Sequence, residues 1–137
     1  MRELKFRAWD SSHRKMIPFE LIELPYNENV NLDGQFDGLI SKGYIFMQYT
    51  NYKDKNNIEI YEGDIFSFVI FDYLDNTIPY ISSVVFQQGS FGILIKNSYN
   101  EECFYELSYI LSRYDEAKVI GNIYENPELL KGEKIDE

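Results

Sequence analysis

The sequence has one cysteine, Cys103, and one histidine, His13, among its 137 residues. A single thiol cannot close an internal disulfide, and without a companion it forms neither a Cys-x-x-Cys metal site nor a dithiol redox pair. A reducing, cytoplasmic setting is therefore expected. A single imidazole rules out a His-Glu-x-x-His zinc helix and leaves nucleophile-and-base chemistry with one base to draw on. Long apolar runs are also missing: Ile65–Phe71 is among the longest, whereas a membrane-spanning helix needs about 20 residues. Arg2, Lys5 and Arg7 interleave with Leu4, Phe6 and Trp9, a pattern without the continuous apolar core of an export signal. Positive charge is scarce: 13 Lys and Arg stand against 23 Asp and Glu, a net charge of −10. That balance disfavours attraction to phosphate backbones and anionic membrane surfaces.

Aromatic residues are abundant. The chain holds 12 Tyr and 10 Phe, and 45% of its residues are hydrophobic, enough for one packed core and too much for a disordered chain. Tyrosine in excess of what a core this size can satisfy points to a covered contact surface. The charge is unevenly spread. Residues 1–16 carry five basic and two acidic side chains, and residues 101–137 carry ten acidic and four basic. Neighbouring copies could attract through these ends, although two solvated faces are the plainer reading.

Alternation of apolar and charged residues over Leu4–Trp9, turn formers at Asp10–His13 and an extended pattern over Lys15–Phe19 predict an N-terminal β-hairpin. Pro25–Gly43, with Asp33-Gly34 and Asp37-Gly38, reads as a loop with tight turns. Tyr44–Tyr49 is predicted as a strand, Asn51–Asn57 as a polar loop and Ile58–Ile60 as a brief extension. A turn at Glu62-Gly63-Asp64 launches Ile65–Phe71, whose near-continuous apolar run predicts a central strand. Leu74–Pro79 reads as a loop, Tyr80–Phe86 as a strand, Gln87–Ser90 as a turn and Phe91–Lys96 as a third strand. Phe104, Leu107, Ile110, Leu111 and Tyr114 have helical spacing, predicting one amphipathic helix over about 102–114. Lys118–Ile123 returns to strand character, and Asn126-Pro127 reads as a helix cap and first turn. The fold class is mainly β (α+β): one domain over 1–137, with a hairpin and loop region over 1–60, a small SH3-like barrel core over 61–130 and a polar tail over 131–137.

No catalytic, cofactor-binding or metal site emerges from the residues. Ser11, Ser12 and His13 are adjacent, but adjacency does not orient a triad, which draws its members from separate segments. Cys103 follows Glu102, and a neighbouring carboxylate does not activate a thiol, which needs an electropositive setting. Asp72-x-x-Asp75-Asn76 and Asp33-x-x-x-Asp37 lack the alternating ligands and distal Glu of a calcium loop. Gly89-Ser90-Phe91-Gly92 lacks the Lys of a phosphate loop and suits a hairpin turn. Tyr44, Phe46, Phe66, Phe68, Tyr80 and Phe86 could stack bases, yet Lys96 is the one cation in residues 65–100, so core or subunit packing is favoured.

Three blocks resemble the YopX-like proteins of phages and prophages: Met1–Asp10, Met47–Ile65 and Val119–Leu130. The resemblance implies a phage-borne cytoplasmic protein with a β-rich core and self-assembly, and it brings no reaction, cofactor or catalytic residue. Asn51 and Asn57 stand where the family pattern expects glycine, and Asn is the side chain that best tolerates positive φ. Physically the blocks read as architecture: Gly63 for a turn, Asp64 capping it, Gly121 for a bend or close approach, Pro127 for a helix start. The expected function is that of a non-enzymatic accessory protein working by binding or assembly, as a homo-oligomer or with a phage or host partner. The alternatives are an acidic decoy for a basic nucleic-acid-associated protein and direct nucleic-acid binding through Arg2, Lys5, Arg7, Arg14 and Lys15.

Overall fold

The computed structural model describes residues 2–21, 32–71, 74–96 and 99–132, and divides into two compact units that meet between Tyr49 and Thr50. In the first, β1 (Phe6–Asp10) and β2 (Lys15–Ile17) form the expected hairpin, with Ala8 opposite Ile17 and Trp9 opposite Met16. A 3-10 turn over Phe19–Leu21 and helix α1 (Leu32–Ser41) follow. β3 (Tyr44–Lys53) then pairs antiparallel with β1, from Phe6 opposite Gln48 to Asp10 opposite Tyr44. Met47 and Tyr49 of β3 alternate into buried positions, and Ala8 and Trp9 of β1 and Leu39 of α1 are buried as well.

Helix α1 corrects the reading of Pro25–Gly43 as a loop. Gly34 and Gly38 lower helix propensity, but Leu32, Phe36 and Leu39 keep helical spacing, and burial of Leu39 outweighs local preference. The helix ends where Gly43 takes φ +97°, with its amide donating to the Ile40 carbonyl at 3.0 Å. The first part of that segment lies outside the described residues.

In the second unit, β4 (Glu59–Tyr61) joins the distal part of β3, and the loop between them carries the polar residues expected there. The strand nevertheless runs through to Lys53, past Asn51. Asn51 and Asn57 have φ values of 71° and 65°, the left-handed backbone for which Asn substitutes for Gly. Gly63 turns at φ +88°, and β5 (Asp64–Phe71) starts beside it. β5 is central, as its apolar run predicts, lying between β10 (Lys118–Asn122) and β6 (Thr77–Ser83).

The span read as one strand, Tyr80–Phe86, is two. β6 ends at Ser83, and Val84 exchanges backbone bonds with the β5 turn, donating to the Asp64 carbonyl at 2.8 Å and accepting from the Gly63 amide at 2.9 Å. β7 (Val85–Gln87) then pairs with β8 (Ser90–Lys96) in a separate sheet, order β7-β8-β9. The predicted loop Leu74–Pro79 is also shorter than expected, because β6 begins at Thr77 and contains Pro79. Pro79 is tolerated because β6 is the edge of its sheet. Gln88 and Gly89 both take positive φ, 52° and 80°, which makes the β7–β8 connection the two-residue turn whose twist suits a hairpin.

The helix predicted over about 102–114 is a strand followed by a helix. β9 (Glu102–Glu106) pairs with β8, from Gly92 opposite Glu106 to Lys96 opposite Glu102, and α2 spans Leu107–Arg113. Phe104 matches the helical spacing by coincidence; Leu107, Ile110, Leu111 and Tyr114 keep it because they lie on the helix or at its end. Leu107 and Ile110 are fully buried with Ile60, Phe66, Phe68, Val84 and Ile93 in the core of this unit. Phe68 stacks on Tyr80 with centroids 5.8 Å apart and meets Tyr114 at 5.1 Å. Each such fully buried side chain contributes about 1.5–3 kcal/mol. The chain is thus mainly β with few helices, as its composition and pattern predict. A short α3 (Glu128–Gly132) follows Asn126-Pro127.

Candidate functional site

A cleft of about 820 Å³ opens in the second unit where the far end of β5 meets the end of α2. Val69, Ile70 and Phe71 form its apolar side, and Arg113, Asp115 and Glu116 form its charged side, with Tyr114 between them. Local sequence explains this polarity. β5 emerges from the core at Phe71, which is 64% exposed, and α2 runs out at Arg113, leaving an acidic pair in the turn to β10. Arg113 lies over the Tyr109 ring at 5.8 Å, one helical turn away on α2, and Tyr109 stacks on Tyr105 of β9 at 5.7 Å, so a column of three side chains ends at the cleft. Glu116 accepts from Lys55 Nζ at 2.6 Å, and this hydrogen bond and charge hold its carboxyl below the usual carboxylate range. The cleft offers an apolar wall, one guanidinium and the Asp115 carboxylate. That set suits contact with another macromolecular surface better than a buried small molecule, which needs near-complete enclosure.

The residues weighed from sequence do not meet there. His13 is exposed at the β1–β2 turn, its Nδ1 2.8 Å from Asp10 Oδ2. Asp10 is buried and also accepts the amides of Ser12 and His13 at 3.0 and 3.2 Å. Burial pushes the Asp10 carboxyl up, but the His13 hydrogen bonds and charge, with the Ser12 amide, outweigh it and hold it below its ordinary value. The serine hydroxyls point elsewhere: Ser11 donates to the Gly43 carbonyl at 2.7 Å and Ser12 to that of Lys42 at 3.4 Å. An imidazole oriented by a carboxylate is present, but neither adjacent hydroxyl is its partner.

Cys103 is half-buried on β9, and Asp75 sits at φ 62° in an exposed turn. Gly89 lies in the β7–β8 turn, and Ser90 and Gly92 lie on β8. Asp72 and the side chain of Asp33 lie outside the described residues. Among the described residues no three His, Cys, Asp or Glu side chains gather as a metal-binding group. Phe66 and Phe68 are core residues, whereas Phe86 is 52% exposed and packs edge-on against Phe91 at 4.9 Å.

The distinctive segments do assemble, as a framework. Asp64 Oδ2 accepts the Tyr61 amide at 2.7 Å and so closes the turn around Gly63. Asp54 accepts the amides of Asn56, Ile58 and Val119. Asn122 Oδ1 accepts the amides of Tyr124 and Glu125. Asn126 does not cap α3 with its side chain as expected: its Oδ1 accepts the Asn122 amide at 3.2 Å, and its backbone carbonyl takes the Leu129 amide. A Cβ at Gly121 would fall 2.5 Å from that Oδ1, the close approach the sequence suggested. Asp54 and the Asn122–Asn126 pair had no sequence signal beyond being polar residues beside turns.

These features define a class of protein: a small, mainly β domain whose distinctive residues serve turns, caps and close approaches. The model of the YopX protein family matches residues 5–131. The chain belongs to the YopX family. Among solved structures it is similar to the crystal structure of protein EF1440 from Enterococcus faecalis, with 28% identity and a TM-score of 0.60 over 95% of this chain and 99% of that one. No curated protein matches the sequence.

Proposed function

We propose that this chain is a phage- or prophage-encoded accessory protein that acts without catalysis, by binding and self-assembly in the host cytoplasm. The observation that carries the reading is the exposure of large apolar side chains around one hairpin: Phe71 at 64%, Leu74 at 66% and Ile78 at 39%, beside the open cleft. Scattered apolar residues are normal on a surface, but a group at one hairpin tip marks a contact site. The two three-stranded sheets of the second unit share one core, as the halves of an SH3-like barrel would, which leaves hairpin tips and edges as the places for contact. A cytoplasmic setting accords with the single cysteine. No helix among the described residues is long and apolar enough to cross a membrane.

Light scattering at tens of micromolar tests the assembly: a defined oligomer is expected, and a monomer at every concentration overturns it. A second reading, an acidic decoy for a basic nucleic-acid-associated protein, is favoured by the charge of residues 50–137, which carry sixteen acidic and seven basic side chains. Pull-down from host lysate at low and high salt separates the two. Direct nucleic-acid binding through the basic N-terminal strand is the least supported reading, and a gel shift at low salt decides it.

A further inference from the structure

Two strand edges of this chain carry opposite charge. β2 is the edge of the sheet that contains β1 and β3, and β9 is the edge of the sheet that contains β7 and β8; among the described residues no strand lies beyond either. An edge presents a row of backbone donors and acceptors ready to pair with another strand. β2 reads Lys15-Met16-Ile17 and follows Arg14, with both cations exposed. β9 reads Glu102-Cys103-Phe104-Tyr105-Glu106, with both glutamates exposed.

Like charges directly opposite one another destabilise a strand pair, and opposite charges support it. A β9 edge pairing antiparallel with another β9 about Phe104 would set Glu102 opposite Glu106, whereas β2 pairing with another β2 about Met16 sets Lys15 opposite Ile17 and gains no charged pair. The charges that oppose β9 pairing with itself favour its pairing with the basic β2 edge.

Resting on the assembly reading above, we infer that the β2 edge of one copy pairs antiparallel with the β9 edge of a second copy. One register satisfies every position. Lys15 lies opposite Glu106, Met16 opposite Tyr105 and Ile17 opposite Phe104. The charged pair closes one end, and the middle pair is a thioether against an aromatic ring, a favourable contact. Pro18 then falls opposite Cys103 and, lacking an N–H, ends the ladder. Three residue pairs set direction and register, and the exposed Tyr99 and Tyr109, which flank β9 in sequence, are placed to add contact area. Because the two surfaces differ, the contact is head-to-tail, and repeated use of it gives a closed ring or an open filament according to the rotation between copies.

The test uses the full chain, with mass measured by light scattering at tens of micromolar in low and high salt. Lys15→Glu and Glu106→Lys are each expected to weaken self-association about tenfold, since each turns an attraction into a repulsion. The combined variant, Lys15→Glu with Glu106→Lys, is expected to recover the original mass. Added salt is expected to weaken the original chain's assembly and relieve the single variants' repulsion. Both side chains are exposed, and Glu106 makes no side-chain cap to α2, so circular dichroism should show folded single variants. Lys15→Gln and Glu106→Gln provide milder changes should either reversal fail to fold. An oligomer whose mass is unmoved by all four substitutions overturns the edge pairing and leaves the assembly reading standing. A chain that is monomeric before any substitution overturns both.

Discussion

Asp54 accepts the backbone amide of Val119 at 2.9 Å across 65 residues of chain. The other oxygen of the same carboxylate takes the amides of Asn56 and Ile58 at 2.8 and 2.9 Å. One buried side chain thus shapes its own loop and anchors β10. Asp54→Ala would leave three amides without that acceptor and is expected to cost about 3 kcal/mol. Asp54→Asn keeps one acceptor oxygen but turns an NH2 donor toward an amide, so about half that loss is expected. Urea unfolding should show a lower midpoint at unchanged slope.

Gly121, the one glycine of β10, is expected to resist replacement. Gly121→Ala puts a methyl group against Asn126 and should cost about 1–3 kcal/mol, the range for overpacking a tight contact. Asn126→Ala alone loses the acceptor for the Asn122 amide. The double variant removes the clash, so its destabilisation should fall short of the sum of the two. Additive losses in thermal melts would show that the contact is slack.

The Asp10–His13 turn carries a pH dependence whose sign follows from its geometry. The folded carboxyl of Asp10 titrates below its ordinary value of 3.8, so the folded state favours the ionised form. Its contribution to stability is complete above that ordinary value and is lost as pH falls through the lower folded value. Asp10→Asn is therefore expected to flatten the acid limb of stability against pH, measured by urea midpoints from neutral pH downward. An acid limb of unchanged steepness would assign it to other carboxylates.

Gln88 occupies the first position of the β7–β8 turn at φ 52°, ahead of Gly89. A residue with a long side chain has no advantage there, whereas Asn tolerates this backbone and Asn-Gly is the preferred pair for the turn. Gln88→Asn should stabilise the chain by about 0.5 kcal/mol, seen as a melting temperature higher by a few degrees. Gln88→Val, β-branched at positive φ, should move it the other way.

The sheet frame was legible because its signals are local. Alternation over Leu4–Trp9, the apolar run Ile65–Phe71 and the turn at Gly63 lie where the period and the glycine put them. Asn51 and Asn57 do stand at positive φ, as asparagines in glycine positions should. The misses have physical causes. Gly34 and Gly38 mask α1, whose stability comes from burying Leu39 rather than from propensity. β9 shares a coincident spacing with α2, and pairing with β8 decides its conformation, which no window on 102–106 contains. The cleft was illegible for a similar reason. Arg113, Asp115 and Glu116 read as a solvated helix end until β5 brings Phe71 alongside them.

The sheet order β10-β5-β6 also governs how this chain emerges during synthesis. β5 can pair with β6 within a few residues of leaving the ribosome, but its other edge waits for Lys118–Asn122. Through those fifty-odd residues of translation, the most apolar strand of the protein shows one open side, the condition under which nascent chains recruit chaperones or stick to one another. Truncation before β10 should therefore yield insoluble protein rather than a smaller folded one.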